Sequence, residues 1–266
     1  MFTTSDRLGG MPGQKVALRG WLAARQDRGR LVFVTLRDGL GQVQLVASKQ
    51  QLGEEELIAL RHAPLESALR VWGTVGSVPG GDTVELQLER VEILPSADGF
   101  PIGRKEHGPE FLMEQRHLWL RSPRQAAIMR VRSSLEQACC SFLHSEGFFR
   151  FDAPLMTPTA CEGTTELFEL DYFGLPAYLS QSAQLYSEAG IAALEKVYSF
   201  GPCFRAEKSN TRRHLTEFWG VEPEMAWVEA EENMRFQERF IRAILAAVAE
   251  ERADDLRLLE QDPAKL

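Results

Sequence analysis

Apolar and polar side chains alternate along five short stretches in the first third of the chain. These stretches are rich in β-branched residues and are separated by Gly or Asp, which is typical of half-buried strands with turns between them. After the third stretch, residues 53–62 have a helical pattern instead. The five predicted strands have the sequences VALRGWL, RLVFVTLRD, GQVQLVAS, ALRVWGTVGSV and TVELQLERVEIL.

Five strands with a helix between the third and the fourth form the element order of an OB-fold. This small closed barrel often binds oligonucleotides across its second and third strands. An unrelated small β-barrel would give the same pattern, so the pattern alone leaves both folds open. We therefore predict an all-β N-terminal domain at residues 1–96, with the OB-fold as its expected form.

The pattern changes after residue 96, where Gly and Pro interrupt every possible element. Residues 97–122 are therefore predicted to form a hinge. Beyond it, residues 124–146 carry apolar side chains at helical spacing and end before Gly147, which predicts one amphipathic helix. Residues 231–259 have the same spacing with many acidic side chains and predict one long final helix.

Shorter elements lie between these two long helices. The sequence FFRFDAPLMTP is predicted to form a strand that prolines terminate, and residues 184–194 are predicted to form a helix. The remaining predicted strands are LFELDYF, AYLSQS and VYSFGPCFRAE. Strands and helices in this order predict an α+β domain with a mostly antiparallel sheet at residues 123–266.

The composition indicates a folded, cytoplasmic protein. The chain has 266 residues, of which 44% are hydrophobic, so it can bury a large core. The apolar run at residues 243–249 is too short to cross a membrane, and the N-terminus lacks a signal-peptide pattern. The four cysteines form no CxxC pair and no ligand spacing with His, so we expect free thiols and no metal site in this chain.

The net charge of −8 argues at first against a polyanionic partner. The charge is distributed unevenly, however. Residues 1–96 carry 11 basic and 11 acidic side chains, whereas residues 97–266 carry 19 basic and 27 acidic ones. Any contact with nucleic acid must therefore use local groups of basic side chains.

The most specific chemistry lies in residues 204–227, with the sequence FRAEKSNTRRHLTEFWGVEPEMAW. Arg205 ends one predicted strand, a basic loop follows, and Phe218 opens the next strand. Arg205 can hold a phosphate through two parallel hydrogen bonds, loop cations can meet further phosphates, and Phe218 offers a flat face to a base. The hairpin is therefore predicted to bind a nucleoside triphosphate. A solvated charged hairpin is the alternative.

This hairpin resembles motif 2 of the class II aminoacyl-tRNA synthetases, the segment that grips ATP in that family. The predicted helix at residues 124–146 and the following FFRFDAPLMTP resemble motif 1, which forms the dimer interface and whose strand a proline closes, here Pro154. The sequences TPTACEGTTELFELDYF and AYLSQSAQLYSEAG resemble the amino-acid-binding segments of the subgroup that charges Asp and Asn. The resemblance implies an OB-fold barrel, the N-terminal part of a class II catalytic core, and a homodimer.

The resemblance also implies roles for individual residues. Arg205 would be the catalytic residue that holds the α-phosphate of ATP. Glu207 and Phe218 would bind the adenine end, Arg213 and His214 the outer phosphates, and Leu215 would belong to the same ATP site. The residues implied for the amino acid are Glu162, on a loop that closes over the amino group of the substrate, Gln181 and Gln184.

The predicted barrel carries residues that match anticodon-binding positions of the family. Phe33 on the second strand would stack on a base, Gln44 on the third strand would bond to a base edge, and Glu85 would share their surface. Stacking of a base on an aromatic ring is typically worth about 1–3 kcal/mol. For Phe33 taken alone, a place in the core is the alternative. The arginines expected to position the phosphate backbone are Arg19, Arg25, Arg28 and Arg30.

Ser187 bears on which amino acid is charged. Aspartyl enzymes usually carry a Lys at this position, three residues after Gln184, where its charge offsets the second carboxylate of aspartate. With Ser187 and the neighbouring Glu188, an aspartate would leave a buried unpaired carboxylate, at a cost on the order of several kcal/mol. A neutral amide needs only hydrogen bonds, so asparagine is the predicted substrate. Ala183 departs from the family, which more often has Gly there.

Together these resemblances imply ATP-dependent activation of asparagine and its transfer to tRNA(Asn). In the family, motif 3 with a second ATP-binding Arg, and the carboxylates that hold Mg²⁺, would follow Leu266. The chain itself is therefore expected to be weakly active or inactive. Two alternatives stay open: a non-catalytic protein that binds tRNA or dimerises, and an aspartate-specific relative, which Ser187 disfavours.

Overall fold

The computed structural model describes residues 1–78, 83–94, 99–103, 105–161, 166–209, 211 and 213–266. The chain forms two compact units, Met1–Pro123 and Arg124–Leu266. Within the part of the chain that the structure describes, no helix combines the length and the apolar character that a membrane span requires.

The first unit contains a closed barrel with the strand order β1-β2-β3-β5-β4. Neighbouring strands are antiparallel except β3 and β5, which are parallel. One helix, α1 (Glu54–His62), connects β3 to β4, and the predicted OB-fold is confirmed. The strands are β1 (Lys15–Asp27), β2 (Leu31–Arg37), β3 (Gln42–Ser48), β4 (Ala68–Ser77) and β5 (Val84–Ile93).

The barrel core consists of every second side chain of its strands. In β2, Val32, Val34 and Leu36 are buried, and the residues between them face outwards. Helix α1 adds the buried Leu57 and Leu60 to the same core. Burial of a Leu or Val side chain stabilises a fold by roughly 1.5–3 kcal/mol. The alternating apolar side chains therefore stabilise the closed barrel, because closure buries them all in one core.

Arg25 on β1 caps α1. Its guanidinium donates hydrogen bonds to the carbonyl oxygens of Leu60, at 3.1 Å, and of Ala63. These carbonyls belong to the C-terminal end of the helix, where they lack partners within the helix and where a cation is favoured. Arg25 therefore serves the fold, whereas Arg28 and Arg30 have exposed side chains.

Two short helices, α2 (Pro109–Glu114) and α3 (Arg116–Trp119), occupy the segment predicted to be a hinge. Pro109 begins α2, a position where its missing N–H leaves no hydrogen bond unmade. Both helices lie within the first unit.

The second unit contains two three-stranded sheets, with the orders β11-β10-β6 and β7-β9-β8. All pairs are antiparallel except β10 and β6. The elements are α4 (Pro123–Ser145), β6 (Phe149–Arg150), β7 (Met156–Thr157), β8 (Glu169–Tyr172), β9 (Leu175–Leu179), α5 (Gln184–Leu194), β10 (Lys196–Phe204), β11 (Glu217–Met225), α6 (Ala230–Glu251) and α7 (Ala253–Leu258). The predicted α+β architecture is confirmed, and α4 ends before Gly147, which has φ +85°.

The strand predicted at FFRFDAPLMTP is wrong for most of its length. Only Phe149–Arg150 and Met156–Thr157 pair with neighbouring strands. Pro154 lies between them and has no N–H to donate to a strand ladder, which limits pairing on both sides of it.

The single final helix is also wrong, because α6 and α7 are separate helices. Arg252 interrupts them with φ −121°. Its guanidinium donates a 2.7 Å hydrogen bond to Ser134 Oγ on α4, and the next turn carries an ion pair of 2.6 Å between Asp255 and Arg130. These contacts join residues far apart in sequence, so the periodicity of the segment alone does not encode the break.

Candidate active site and nucleic-acid interface

The hairpin β10–β11 brings Arg205 and Phe218 together. Arg205 directly follows β10, and its N–H donates a 3.0 Å hydrogen bond to the Thr216 carbonyl, which closes the base of the connecting loop. Its guanidinium carbon lies 5.5 Å from the centre of the Phe218 ring. The guanidinium thus lies beside an aromatic ring, an arrangement that can meet a phosphate and the face of a base.

The loop between the two strands carries Glu207 and His214 opposite each other. The His214 Nε2 atom is 3.7 Å from the Glu207 carboxylate, and among the described residues this buried nitrogen has no hydrogen-bond partner. Arg213 and Leu215 are exposed on the same loop. A buried polar atom without a partner costs stability, which a hydrogen bond from the His214 ring N–H to a phosphate oxygen would recover.

Gln181 and Gln184 flank the start of α5. Gln181 is buried, and its Oε1 accepts a 3.2 Å hydrogen bond from the N–H of Cys161. Gln184 is exposed and donates from Nε2 to Glu188 at 3.0 Å. Glu162, which follows Cys161, lies outside the described residues. The segment just before Glu162 therefore contacts the residues predicted to bind the amino acid.

Glu222 on β11 is a candidate site residue that the sequence analysis did not identify. Its carboxylate accepts hydrogen bonds from Ser182 Oγ, from the Ala183 N–H at 3.0 Å, and from Cys203 Sγ at 3.1 Å. It thereby joins the hairpin to the turn that precedes Gln184. The sequence could have marked Glu222 only as a carboxylate within a half-buried strand, because its partners on the turn are about 40 residues earlier in the chain.

The surroundings of Glu222 are electrostatically negative. Burial, reinforced by the neighbouring Glu222, raises the pKa of the Cys203 thiol to about 12, so the thiol stays protonated and donates. Burial and the carboxylates of Glu188 and Glu222 raise the pKa of Glu224 above its usual value. Mutually repelling carboxylates favour a nearby cation, and the ammonium group of an amino acid is one.

A cavity of about 280 Å³ lies beside Glu222, on the side of Ser182, Pro154 and Trp219. Arg205, Gln181 and Gln184 are not among the residues that line it. Within the described ranges, no three His, Cys, Asp or Glu side chains are grouped to hold a metal ion.

The three predicted anticodon residues share one outer face of the barrel. Gln44 on β3 pairs with Thr35 on β2 and with Glu85 on β5, and its Nε2 donates to the Glu85 carboxylate at 3.2 Å. Phe33 lies two residues from Thr35, between the buried Val32 and Val34. Because side chains alternate along a strand, Phe33 faces outwards with Thr35 rather than into the core.

Two family models match the chain. Residues 16–94 match the OB-fold nucleic acid binding domain, and residues 108–264 match the tRNA synthetases class II (D, K and N). Since the second match covers more than half of the chain, the chain belongs to the class II tRNA synthetases of the D, K and N group.

Individual relatives within this family are asparagine enzymes. The chain is 50% identical over 258 residues to the asparagine–tRNA ligase of Chloroflexus aurantiacus, a match that covers 96% of this chain and 58% of that protein. The asparagine–tRNA ligase of Thermus thermophilus is also 50% identical, with 95% and 58% covered. A solved asparaginyl-tRNA synthetase from Pyrococcus horikoshii, complexed with asparaginyl-adenylate, superposes with a TM-score of 0.90 at 38% identity, covering 97% of this chain and 60% of that one. The chain thus spans about three fifths of the length of these relatives.

Proposed function

We propose that the chain carries the asparagine- and ATP-binding site and the anticodon-binding barrel of an asparagine–tRNA ligase. The observation that supports this most is the pairing of Arg205 with Phe218 on a hairpin that Glu222 joins to the turn before Gln184. Similarity to asparagine–tRNA ligases over nearly the whole chain supports the same function.

The proposed reaction joins asparagine to ATP. A carboxylate oxygen of asparagine attacks the α-phosphorus, the bond to the β-phosphate oxygen breaks, and asparaginyl-adenylate and pyrophosphate form. Arg205 offsets the charge that develops on the α-phosphate oxygens, Phe218 stacks on the adenine, and Glu207 bonds to its edge. Arg213 and His214 meet the outer phosphates, and Leu215 contributes to the same ATP site. The 2′- or 3′-hydroxyl of the terminal ribose of tRNA(Asn) then attacks the adenylate carbonyl and releases AMP.

The proposed amino-acid site adjoins the turn that Glu222 joins to the hairpin of the ATP site. Gln181 and Gln184 face asparagine, and Glu162, outside the described residues, closes over its ammonium group. The carboxylates of Glu188, Glu222 and Glu224 make this region favourable for a cation, in keeping with the raised pKa of Glu224.

The specificity for asparagine is tested by binding of two adenylate analogues, the sulfamoyl adenosines of asparagine and of aspartate, to the unchanged chain. We expect the asparaginyl analogue to bind at least tenfold more tightly in calorimetry, because an unpaired buried carboxylate costs on the order of several kcal/mol and about 1.4 kcal/mol already corresponds to tenfold. Equal binding, or tighter binding of the aspartyl analogue, would refute asparagine as the substrate.

A Ser187→Lys variant is expected to reduce this preference at least tenfold and to lower the melting temperature. Ser187 is fully buried at 0% exposure, and its Oγ has no hydrogen-bond partner among the described residues. A lysine ammonium there is desolvated unless an aspartyl carboxylate pairs with it. Ser187→Ala is the matched control and should keep the preference. If Ser187→Lys also kept it, the residue would have no part in specificity.

A Phe33→Ala variant is expected to bind tRNA(Asn) about 5- to 150-fold more weakly, since stacking of a base contributes about 1–3 kcal/mol. Filter binding of the tRNA transcript measures the change. Ile58→Ala is the control, because Ile58 is an exposed apolar residue of the first unit that lies on α1 rather than on the face of β2 and β3. Equal affinities of the Phe33→Ala and Ile58→Ala variants would remove Phe33 from the interface.

We further propose a homodimer formed through α4 and the segment that follows it. Several large apolar side chains there are exposed in the single chain: Ile128, Met129, Leu135, Phe149, Leu155 and Met156. Val131, Ala138 and Phe142 of the same helix pack on the core instead. The helix thus has a second apolar side, which a partner chain would cover.

A further inference from the structure

A second cavity, of about 230 Å³, lies on the outside of the first unit. Its floor is formed by small side chains of β1 and β2, namely Ala23, Ala24 and Thr35. Apolar residues of the segment after the barrel form its wall, with Trp119 as the largest. Small floor residues under an aromatic wall leave a space for a flat group that can stack.

This cleft adjoins the face that carries the predicted anticodon residues. Thr35 on its floor pairs with Ala24 on one side and with Gln44 on the other. Phe33 lies two residues along the same strand, which is a distance of about 7 Å. A strand of RNA that reaches Phe33 and Gln44 therefore passes the opening of the cleft.

The rim of the cleft carries two arginines and one carboxylate. Arg37 donates two parallel hydrogen bonds to Glu66, at 2.8 and 2.7 Å, and Arg121 donates one to the same carboxylate at 3.1 Å. The Arg37 and Glu66 side chains are nearly buried, whereas that of Arg121 is 41% exposed. A guanidinium has five N–H donors, and the three charges sum to +1, so the rim favours an anion at Arg121.

We propose that this cleft, between Thr35 and Trp119, holds one nucleotide of the bound tRNA next to the anticodon. The base stacks on Trp119, the side chains of Thr35 and Gln42 bond to its edge, and Arg121 holds its phosphate. The inference rests on the proposed tRNA binding and adds a nucleotide outside the three bases of the anticodon. The Glu66 ion pairs keep the wall of the cleft against the barrel.

The RNA itself provides the first test. Anticodon stem-loops of tRNA(Asn), each with one abasic nucleotide beside the anticodon triplet, are titrated with the unchanged chain. We expect one flanking position to lose about tenfold in affinity, since one stacked base contributes about 1–3 kcal/mol. If neither flanking position changed the affinity, the proposal would be overturned, and no protein variant is needed for that result.

Two variants assign the loss to the cleft. Trp119→Leu keeps an apolar side chain but removes the ring, so this variant should bind the intact RNA about tenfold more weakly. It should lose no further affinity when the flanking nucleotide is abasic, because the ring and the base that stack on each other are coupled. Trp119→Phe should retain most of the affinity. Arg121→Gln should lower the slope of log K against log salt by about 0.7, the value for one phosphate of a single strand.

Failure of this inference and failure of the proposed function give different results. If the Trp119→Leu and abasic losses simply added, or if Arg121→Gln left the salt slope unchanged, the cleft would not hold the nucleotide. Phe33→Ala would still weaken binding in that case. Unchanged RNA affinity in all of these variants, Phe33→Ala included, would instead overturn both the cleft proposal and the proposed anticodon binding.

Discussion

An Arg205→Ala variant is expected to bind ATP on the order of 10²-fold more weakly than the unchanged chain, because each charge-assisted hydrogen bond contributes about 1.5–3 kcal/mol. Arg205 lies at the base of the β10–β11 loop, next to Phe218, where its fork can meet one phosphate with two donors. Arg205→Lys keeps the charge but loses the fork, so we expect an intermediate loss of about tenfold. Isothermal calorimetry with ATP measures both.

The control for this change is Arg235→Ala. Arg235 is an exposed residue of α6 whose partner is Glu231 on the same helix, and it lies outside the proposed site. It should leave ATP affinity unchanged, because the same charge is removed without removing a phosphate contact. Equal ATP affinities for the Arg205→Ala and Arg235→Ala variants would show that the hairpin does not hold the phosphates.

A Glu222→Ala variant is expected to lose both stability and amino-acid binding. The change removes the carboxylate that accepts from Ser182 Oγ, from the Ala183 N–H and from the Cys203 thiol, and among the described residues only the thiol has another acceptor, the Gly201 carbonyl at 4.0 Å. Each unsatisfied buried donor costs about 1–3 kcal/mol, so we expect the free energy of unfolding to fall by about 2–4 kcal/mol. Because Glu222 positions the turn before Gln184, affinity for the asparaginyl analogue should also fall by about tenfold or more, as for a displaced binding group.

Glu224→Gln is the matched control for Glu222. Both are half-buried carboxylates on β11, but the pKa of Glu224 is raised by burial and by its acidic neighbours, so its charge is unfavourable in the fold. Removing that charge should leave the free energy of unfolding unchanged or increase it, and it should weaken binding of the analogue less than the loss of Glu222 does, because Glu188 and Glu222 keep the region negative. If thermal unfolding and analogue binding responded equally to the Glu222→Ala and Glu224→Gln changes, Glu222 would have no specific positioning role.

The barrel was predictable from sequence because its strands are buried on one face only. In β2 the alternation of Val32, Val34 and Leu36 with outward residues sets both the strand and its orientation. The same alternation predicts that Phe33 faces the outside of the barrel rather than its core. The register of β2 with β3 then places it on the same face as Gln44. Helices α4 and α5 were predictable for a similar reason, since each is a continuous periodic segment with clear ends.

What the sequence did not predict depends on contacts between distant segments. Glu222 became a site residue only through its contacts with Ser182 and Ala183, and Arg252 ends α6 where its side chain bonds to Ser134 of α4. No local period contains either contact. The roles assigned to Gln181 and Gln184 came from family resemblance, since an isolated Gln has no pattern that marks it as a ligand.

The most direct test of the central claim is a crystal structure of the chain with the sulfamoyl analogue of asparaginyl-adenylate. We expect the adenine to stack on Phe218, Arg205 to contact the sulfamoyl group that replaces the α-phosphate, and the asparagine to lie between Gln181 and Gln184. An analogue bound elsewhere, with neither Arg205 nor Phe218 within contact distance of it, would contradict the proposed site.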